Sequence, residues 1–213
     1  MKIALIGGSG SIGQRIVQEA LSRGHHVTII AHDPSHIATQ HEYLTVVKGD
    51  ILNPESIAET ASGHDVVISA YGPPEGNRGQ LIEATRSLLA GVKRAHGVRR
   101  LITVGGAGTL EVAPGVQLLD TVFLPKVWLP SAIAHREANM IIQDSDLGLD
   151  WTILSPAMNI APGERTGSYR TGTDQLVVDE NGKSEISTED YAVALLDEVE
   201  HQRFSRQRFT VGY

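Results

Sequence analysis

The stretch "ALIGGSGSIGQRIV", Ala4 to Val17, places glycine at 7, 8, 10 and 13 between an apolar run and a segment of helical pattern. Glycine at the first of these positions permits a tight turn, and glycine at 10 lets a phosphate approach the backbone. Glycine at 13 lets a helix pack closely on the strand before it. The start of that helix offers unpaired N–H groups and the positive end of its dipole, and the hydroxyls of Ser9 and Ser11 add donors. A tight turn without a ligand would also tolerate such glycines, but the strand–turn–helix context predicts a pyrophosphate cradle. Gly7, Gly8, Ser9, Gly10, Ser11, Ile12 and Gly13 are its expected members.

The end of the second apolar run, "HVTII" at 26–30, should decide which dinucleotide fits. A carboxylate there holds free ribose hydroxyls, whereas a basic group accommodates a 2′-phosphate. Ala31 follows the run directly, then His32 and Asp33. Arg15, two residues past the last glycine, is a second candidate for the phosphate, although a solvated helix position explains it equally well. The balance favours NADP and leaves NAD open.

Other chemistry is excluded by what the chain contains. There is no cysteine, so disulfides, thiolate catalysis and thiolate-bound metal are ruled out. Of the nine histidines none pairs with another at helical spacing beside an acid; His32 and His36 straddle Pro34 and do not share a regular helix. No metal site is expected. The net charge is −7 with no block of like charge, which speaks against nucleic acid as a partner, since phosphate backbones need clustered Lys and Arg. The opening "MKIALIGG" reads as a buried strand and is too short for a signal segment or a membrane span. A cytoplasmic protein without a membrane partner is the expectation.

These residues need elements to hold them. Apolar β-rich runs alternate with helix-length segments: strands at 2–6, 26–30, 43–50, 65–72, 99–106, 151–156, 176–178 and 208–212, and helices at 11–23, 54–61, 79–96, 131–145 and 188–201. Continuous rather than alternating hydrophobicity marks strands buried on both faces. The expected architecture is α/β: a Rossmann-type doubly wound, mainly parallel sheet with helices on both faces and a small C-terminal substrate lobe. A length of 213 residues fits one domain over 1–213. Two irregular segments, 107–130 with Phe123 and Trp128, and 157–174, follow late strands, where ligands gather in such sheets. Residues 107–130 and 157–187 are the expected substrate side, with Glu164, Arg165, Tyr169 and Arg170 as candidate grips for an acidic group such as a phosphate. Packing of Phe123 and Trp128 back onto the core, and a solvated loop for the others, are the competing readings.

The pieces "GGSGSIGQRI", "GHDVVISAYG", "VRRLITVGGAGTLEVAPG", "LDWTILSPA" and "DQLVVDENGKSEIS" resemble the atypical short-chain dehydrogenases/reductases. Within them, the chain is most similar to the small NAD(P)H-binding group named for NADH-flavin reductase, with biliverdin reductase B/flavin reductase-like and NmrA-like relatives. The resemblance implies that Asp50 and Ile51 lie beside the adenine, and that Ser69, Ala70, Tyr71 and Gly72 run along the ribose. It implies that Val104, Gly105 and Gly106 floor the nicotinamide, with Pro156, Ala157 and Met158 close by. The family's Tyr-x-x-x-Lys pair is missing: the fourth residues after Tyr43, Tyr71, Tyr169 and Tyr191 are Val47, Glu75, Thr173 and Leu195. Ser131 and His135 stand where that pair would fall, and His135 could bind ribose hydroxyls.

Carbonyl chemistry needs such an acid–base group. Hydride transfer to a flavin does not, because the cofactors carry the reactivity. The implied activity is an NAD(P)H-dependent reductase of flavins or quinones, with NADPH favoured as donor and FMN or another flavin as substrate. The alternative is a non-catalytic redox sensor of the NmrA-like type. Partners are then a small-molecule electron acceptor and, as assembly, a monomer or homodimer.

Overall fold

Strand β1 (Lys2–Ile6) is buried along nearly its whole length, as a strand covered by helices on both faces must be. A computed structural model describes residues 1–146 and 148–213. After β1 come α1 (Ser11–Ser22), β2 (His26–Ala31), β3 (Leu44–Lys48), α2 (Pro54–Ala61), β4 (Val66–Ser69), α3 (Gln80–Arg94) and β5 (Arg100–Val104). There follow β6 (Glu111–Ala113), β7 (Val116–Gln117), α4 (Leu129–Gln143), β8 (Asp150–Ser155), β9 (Asn159–Ala161), β10 (Arg170–Gly172), β11 (Glu185–Ser187), α5 (Thr188–His201) and β12 (Gln207–Gly212).

Eight strands form one sheet in the order β10-β12-β8-β5-β4-β1-β2-β3. Every neighbouring pair is parallel except β10 with β12. One face packs on α1 and α5 through Ile16, Val17, Ala20, Tyr191, Leu195 and Val199. The other packs on α2, α3 and α4 through Ile57, Leu88, Val92 and Ile142. Strand order reverses between β1 and β4, so a crevice must open at their C-terminal ends. This is the doubly wound fold expected from the pattern.

The strand expected at 176–178 is a correction. Leu176 makes a single backbone bond to Glu111, donating to its carbonyl at 2.9 Å. The side chain of Val177 lies over Gly172 and Gly212, where the β10–β12 pair presents no side chains of its own. An apolar run that caps two glycines packs across the sheet edge rather than extending it. The edge strand is Arg170–Gly172 instead.

Candidate functional site

The crevice at the reversal point has a volume of about 690 Å³ and is walled on one side by the whole loop Gly7–Gly13. Gly7 has φ +84, and a Cβ there would lie 2.4 Å from the Ala70 carbonyl oxygen; a Cβ on Gly13 would lie 2.0 Å from the Gly7 carbonyl oxygen. Both glycines are demanded by the close packing of β1, β4 and α1. Gly10 is different. Its backbone is extended (φ −73, ψ 165), and a Cβ would meet only the Gly7 carbonyl at 3.4 Å, an ordinary contact. The protein has no steric need for glycine there, and its bare surface faces the crevice.

Gly10 also caps α1 without a side-chain hydrogen bond, whereas Asn53 and Ser187 cap α2 and α5 with theirs. The first turn of α1 therefore presents N–H groups that no side chain of the cap satisfies. A bare cap at a positive helix end suits a pyrophosphate, so these residues fit the cofactor the sequence implies.

The opposite wall is Ala70, Tyr71 and Gly72, and the far end is Ala31, His32, Asp50 and Ile51. Tyr71 donates its hydroxyl to Gln80 Oε1 at 2.8 Å. Burial first, and the Asp50 charge second, raise its pKa, which keeps it a neutral phenol. Asp33, named at the strand end but not placed among the binding residues, also lines the crevice, as do His36, Gly49, Leu52, Pro74 and Gln80, which the sequence reading did not place there. Asp33, Gly49 and Leu52 sit one or two residues from the expected positions. Gln80 opens α3 and reaches the crevice only through the fold.

Ser69, Val104 and His135, with Ile51 and Tyr71, line a second, enclosed cavity of about 20 Å³, room for a single water. Gly105 packs on Ser155 and Ile153, and Gly106 lies directly against the His135 ring. Pro156 and Ala157 are buried behind them. Met158 turns toward Leu118, Leu119, Leu124 and Ala132, the cluster that anchors segment 107–130. Ser131 is partly buried one turn before His135 on α4.

Burial first, and the nearby Arg78 charge second, push the His135 pKa down to about 4. The sign follows: the unfolded chain takes a proton near pH 6.5 and the folded one does not, so stability is lost as pH falls from about 6.5 toward 4. At pH 5 this amounts to roughly 2 kcal/mol. Urea unfolding of His135→Gln should therefore lose about that much less stability than the parent between pH 7.5 and pH 5. Equal losses in the two proteins would contradict it.

Several expected grips are placed elsewhere. Arg15 donates to Glu189 at 3.0 Å, because its face of α1 packs on α5, and it does not line the crevice. Arg165 holds Glu19 through two bonds of 2.8 Å. Tyr169 donates to Asp197, and Arg170 donates to the carbonyls of Val178 and Tyr213. The Glu164 carbonyl accepts from Ser187. These residues tie segment 163–170 to α1, α5 and β12. Phe123 and Trp128 stay 70% and 44% exposed, beside Val122 and Val127 at 94% and 77%; packing back onto the core is not their arrangement.

A family profile described as NAD(P)H-binding matches residues 7–202. A solved structure from Burkholderia pseudomallei, named a candidate exported protein, is 47% identical with a TM-score of 0.90, covering 100% of both chains. A candidate epimerase from Bacteroides thetaiotaomicron is 41% identical with a TM-score of 0.93, covering 100% of this chain and 96% of its own. A candidate NADH-flavin reductase from Streptococcus pneumoniae is 32% identical with a TM-score of 0.85, covering 100% of this chain and 99% of its own.

Proposed function

The chain belongs to the NAD(P)H-binding family, and on that footing we propose that it is an NADPH-preferring, NADH-tolerant reductase that passes hydride directly to a flavin or quinone. One observation carries the reading. The crevice offers groups to hold a dinucleotide, but at the inner end of β5 the imidazole that replaces an acid–base pair is held neutral beneath Gly106. A neutral imidazole is a far weaker acid than the phenol of a Tyr–Lys pair, and so a poor proton donor to a developing alkoxide at neutral pH. Epimerisation and carbonyl reduction are therefore poorly served, whatever the name of one neighbour.

When bound, the reduced dinucleotide supplies the hydride. The chain's own residues orient and dry the site. Gly7–Gly13 hold the pyrophosphate through backbone N–H groups, Ile51 and Leu52 flank the adenine, and Ala70–Gly72 run along the ribose. Val104–Gly106 with His135 form a rigid floor for the nicotinamide, and Pro156–Met158 close its inner side. The acceptor is assigned to the groove of about 510 Å³ lined by Glu75, Arg78, Ile82, Val127, Pro130 and Ile133. Its apolar walls suit a stacked ring, and Arg78 offers charge to an acceptor that gains electron density. Among the described residues no helix is long and apolar enough to cross a membrane; the proposed setting is the cytoplasm, as monomer or homodimer.

A second reading, a sensor of dinucleotide redox state, draws on the exposed Val122, Phe123 and Val127, a surface of the kind that binds another protein. Steady-state assays separate the two. Purified protein should oxidise NADPH with FMN, riboflavin or a short-chain quinone well above the protein-free rate. Tight NADPH binding with no acceptor reduced above that rate would leave the sensor and remove the reductase.

A further inference from the structure

The adenosine end of the crevice contains no fixed positive charge. Among the described residues lining it there is no Lys or Arg. Arg15, the one cation the glycine helix could have offered, is held by Glu189. Lys48 on β3 is registered against Ala31, is exposed, and stands outside the lining. The charged and titratable groups that face it are Asp33, His32 and His36 after β2, Asp50 after β3, and the neutral Tyr71 phenol after β4, which feels the Asp50 charge. Asp33 accepts from the Ser35 hydroxyl at 2.7 Å and the Ser35 N–H at 3.0 Å, which together hold its carboxyl below the ordinary range. His36 Nε2 stands 3.7 Å from Asp33 Oδ2, and the charge of His32 also acts on that carboxyl.

Two carboxylates with two imidazoles make a site whose sign is set by the imidazoles alone. With both charged, the cluster is neutral overall and offers two donors to a phosphate. With both neutral, Asp33 and Asp50 remain, repelling a phosphate and leaving Asp33 free to accept from ribose hydroxyls. We propose that His32 and His36 together read the 2′ position of the adenosine ribose, so that the chain selects the phosphorylated dinucleotide when they carry charge and the unphosphorylated one when they do not. The inference rests on the crevice being the dinucleotide site.

Linkage fixes the direction. A bound 2′-phosphate raises the pKa of the imidazoles it touches, so the advantage of NADP+ is complete at low pH and fades as pH rises through the bound-state values. A rise of about one unit in one imidazole corresponds to about a tenfold change in affinity. The titrations run from about pH 6.5 to 8.5, above the point near pH 6 at which a phosphate monoester itself gains a proton.

The test is calorimetric titration of the full chain with NADP+ and, as internal reference, NAD+, at several pH values across that window and constant ionic strength. The affinity ratio of NADP+ to NAD+ should fall about tenfold from the acid to the alkaline end. Repeating the NADP+ titration in buffers of different ionisation enthalpy should reveal proton uptake near pH 7 that NAD+ does not cause. His32→Arg should make the ratio high with a pH dependence weaker than the parent's, the remainder coming from His36, and His32→Gln with His36→Gln should make it low and flat. A parent ratio that stays constant, while both nucleotides bind, overturns the inference alone. Failure of either nucleotide to bind at any pH removes the dinucleotide site and the inference with it.

Discussion

A Gly10→Asp variant is expected to melt at or slightly above the parent's temperature and to bind NADPH at least about a hundredfold more weakly, roughly 2.7 kcal/mol. The two halves of that outcome come from the same place. Gly10 occupies the N-cap of α1 with extended backbone, a conformation any residue adopts, and its Cβ direction is open apart from the Gly7 carbonyl at 3.4 Å. Asp is among the best N-cap residues and places negative charge at the positive end of the helix, worth about 0.3–1 kcal/mol. Its carboxylate would accept from the first-turn N–H groups and fill the space left bare. Those are the groups a pyrophosphate requires, and the charge repels it. Gly13→Ala is the contrasting case: its Cβ would sit 2.0 Å from a backbone oxygen, so stability and binding should fall together. Gly10 separates the two properties. Thermal melts and fluorescence titration with NADPH measure them, and affinity within threefold of the parent's would mean that no phosphate lies in this loop.

The largest loss of stability is expected at the other end of the sheet. Arg100 begins β5 fully buried, and its guanidinium pairs with the buried Glu198 carboxylate of α5. It also donates to the Glu198 carbonyl at 2.7 Å and to Thr152 Oγ1 at 2.6 Å, and its Nε faces Asp150 at 3.3 Å. The same carboxylate accepts from the N–H groups of Arg203 and Phe204 at 3.0 Å each, pinning the turn into β12. Glu198→Ala leaves the guanidinium buried without its principal counter-charge, at a cost of about 3–5 kcal/mol. That is a large share of a typical folding free energy of about 5–15 kcal/mol, and it should lower Tm by about 6–20 °C. The folded fraction should bind NADPH as the parent does, since the pair lies away from the strand C-termini. Replacing both partners, Arg100→Met with Glu198→Leu, should recover much of the loss. A loss below about 1 kcal/mol in urea unfolding of Glu198→Ala would contradict the assignment.

What the residues revealed in advance was what short-range sterics dictate. The glycine spacing located the loop because Gly7 and Gly13 answer to backbone contacts that only glycine satisfies, and the unbroken apolar strands located the sheet. Strand ends are legible to within a residue or so, so Ala31, His32, Asp50 and Ile51 are correctly placed at the crevice, while the neighbouring Leu52 carries no signal of its own. Charges were harder. Arg15 and Arg165 look free in the chain because their partners, Glu189 and Glu19, are 174 and 146 residues away. Gln80 carries no periodic signal, and it becomes part of the site only when α3 folds over Tyr71. The short strands β9, β10 and β11 were missed for a similar reason: three residues each are too few to show a period, and their pairing is decided by the sheet they join.

The central claim, direct hydride transfer without a side-chain acid, is tested most directly by a single turnover. The NADPH complex is mixed with excess FMN in a stopped-flow instrument, using NADPH deuterated at the transferred position in parallel. The account predicts a primary isotope effect on a phase faster than the protein-free reaction, with a rate that is flat from about pH 6.5 to 8.5. It also predicts that Ser131→Ala leaves that phase within a few-fold of the parent, and that His135→Gln, whatever its rate, keeps the same flat pH profile. A phase that follows a single ionisation in the parent and loses that ionisation in either variant would place an acid in the step and contradict the account. So would bound NADPH that is oxidised no faster than in the absence of protein.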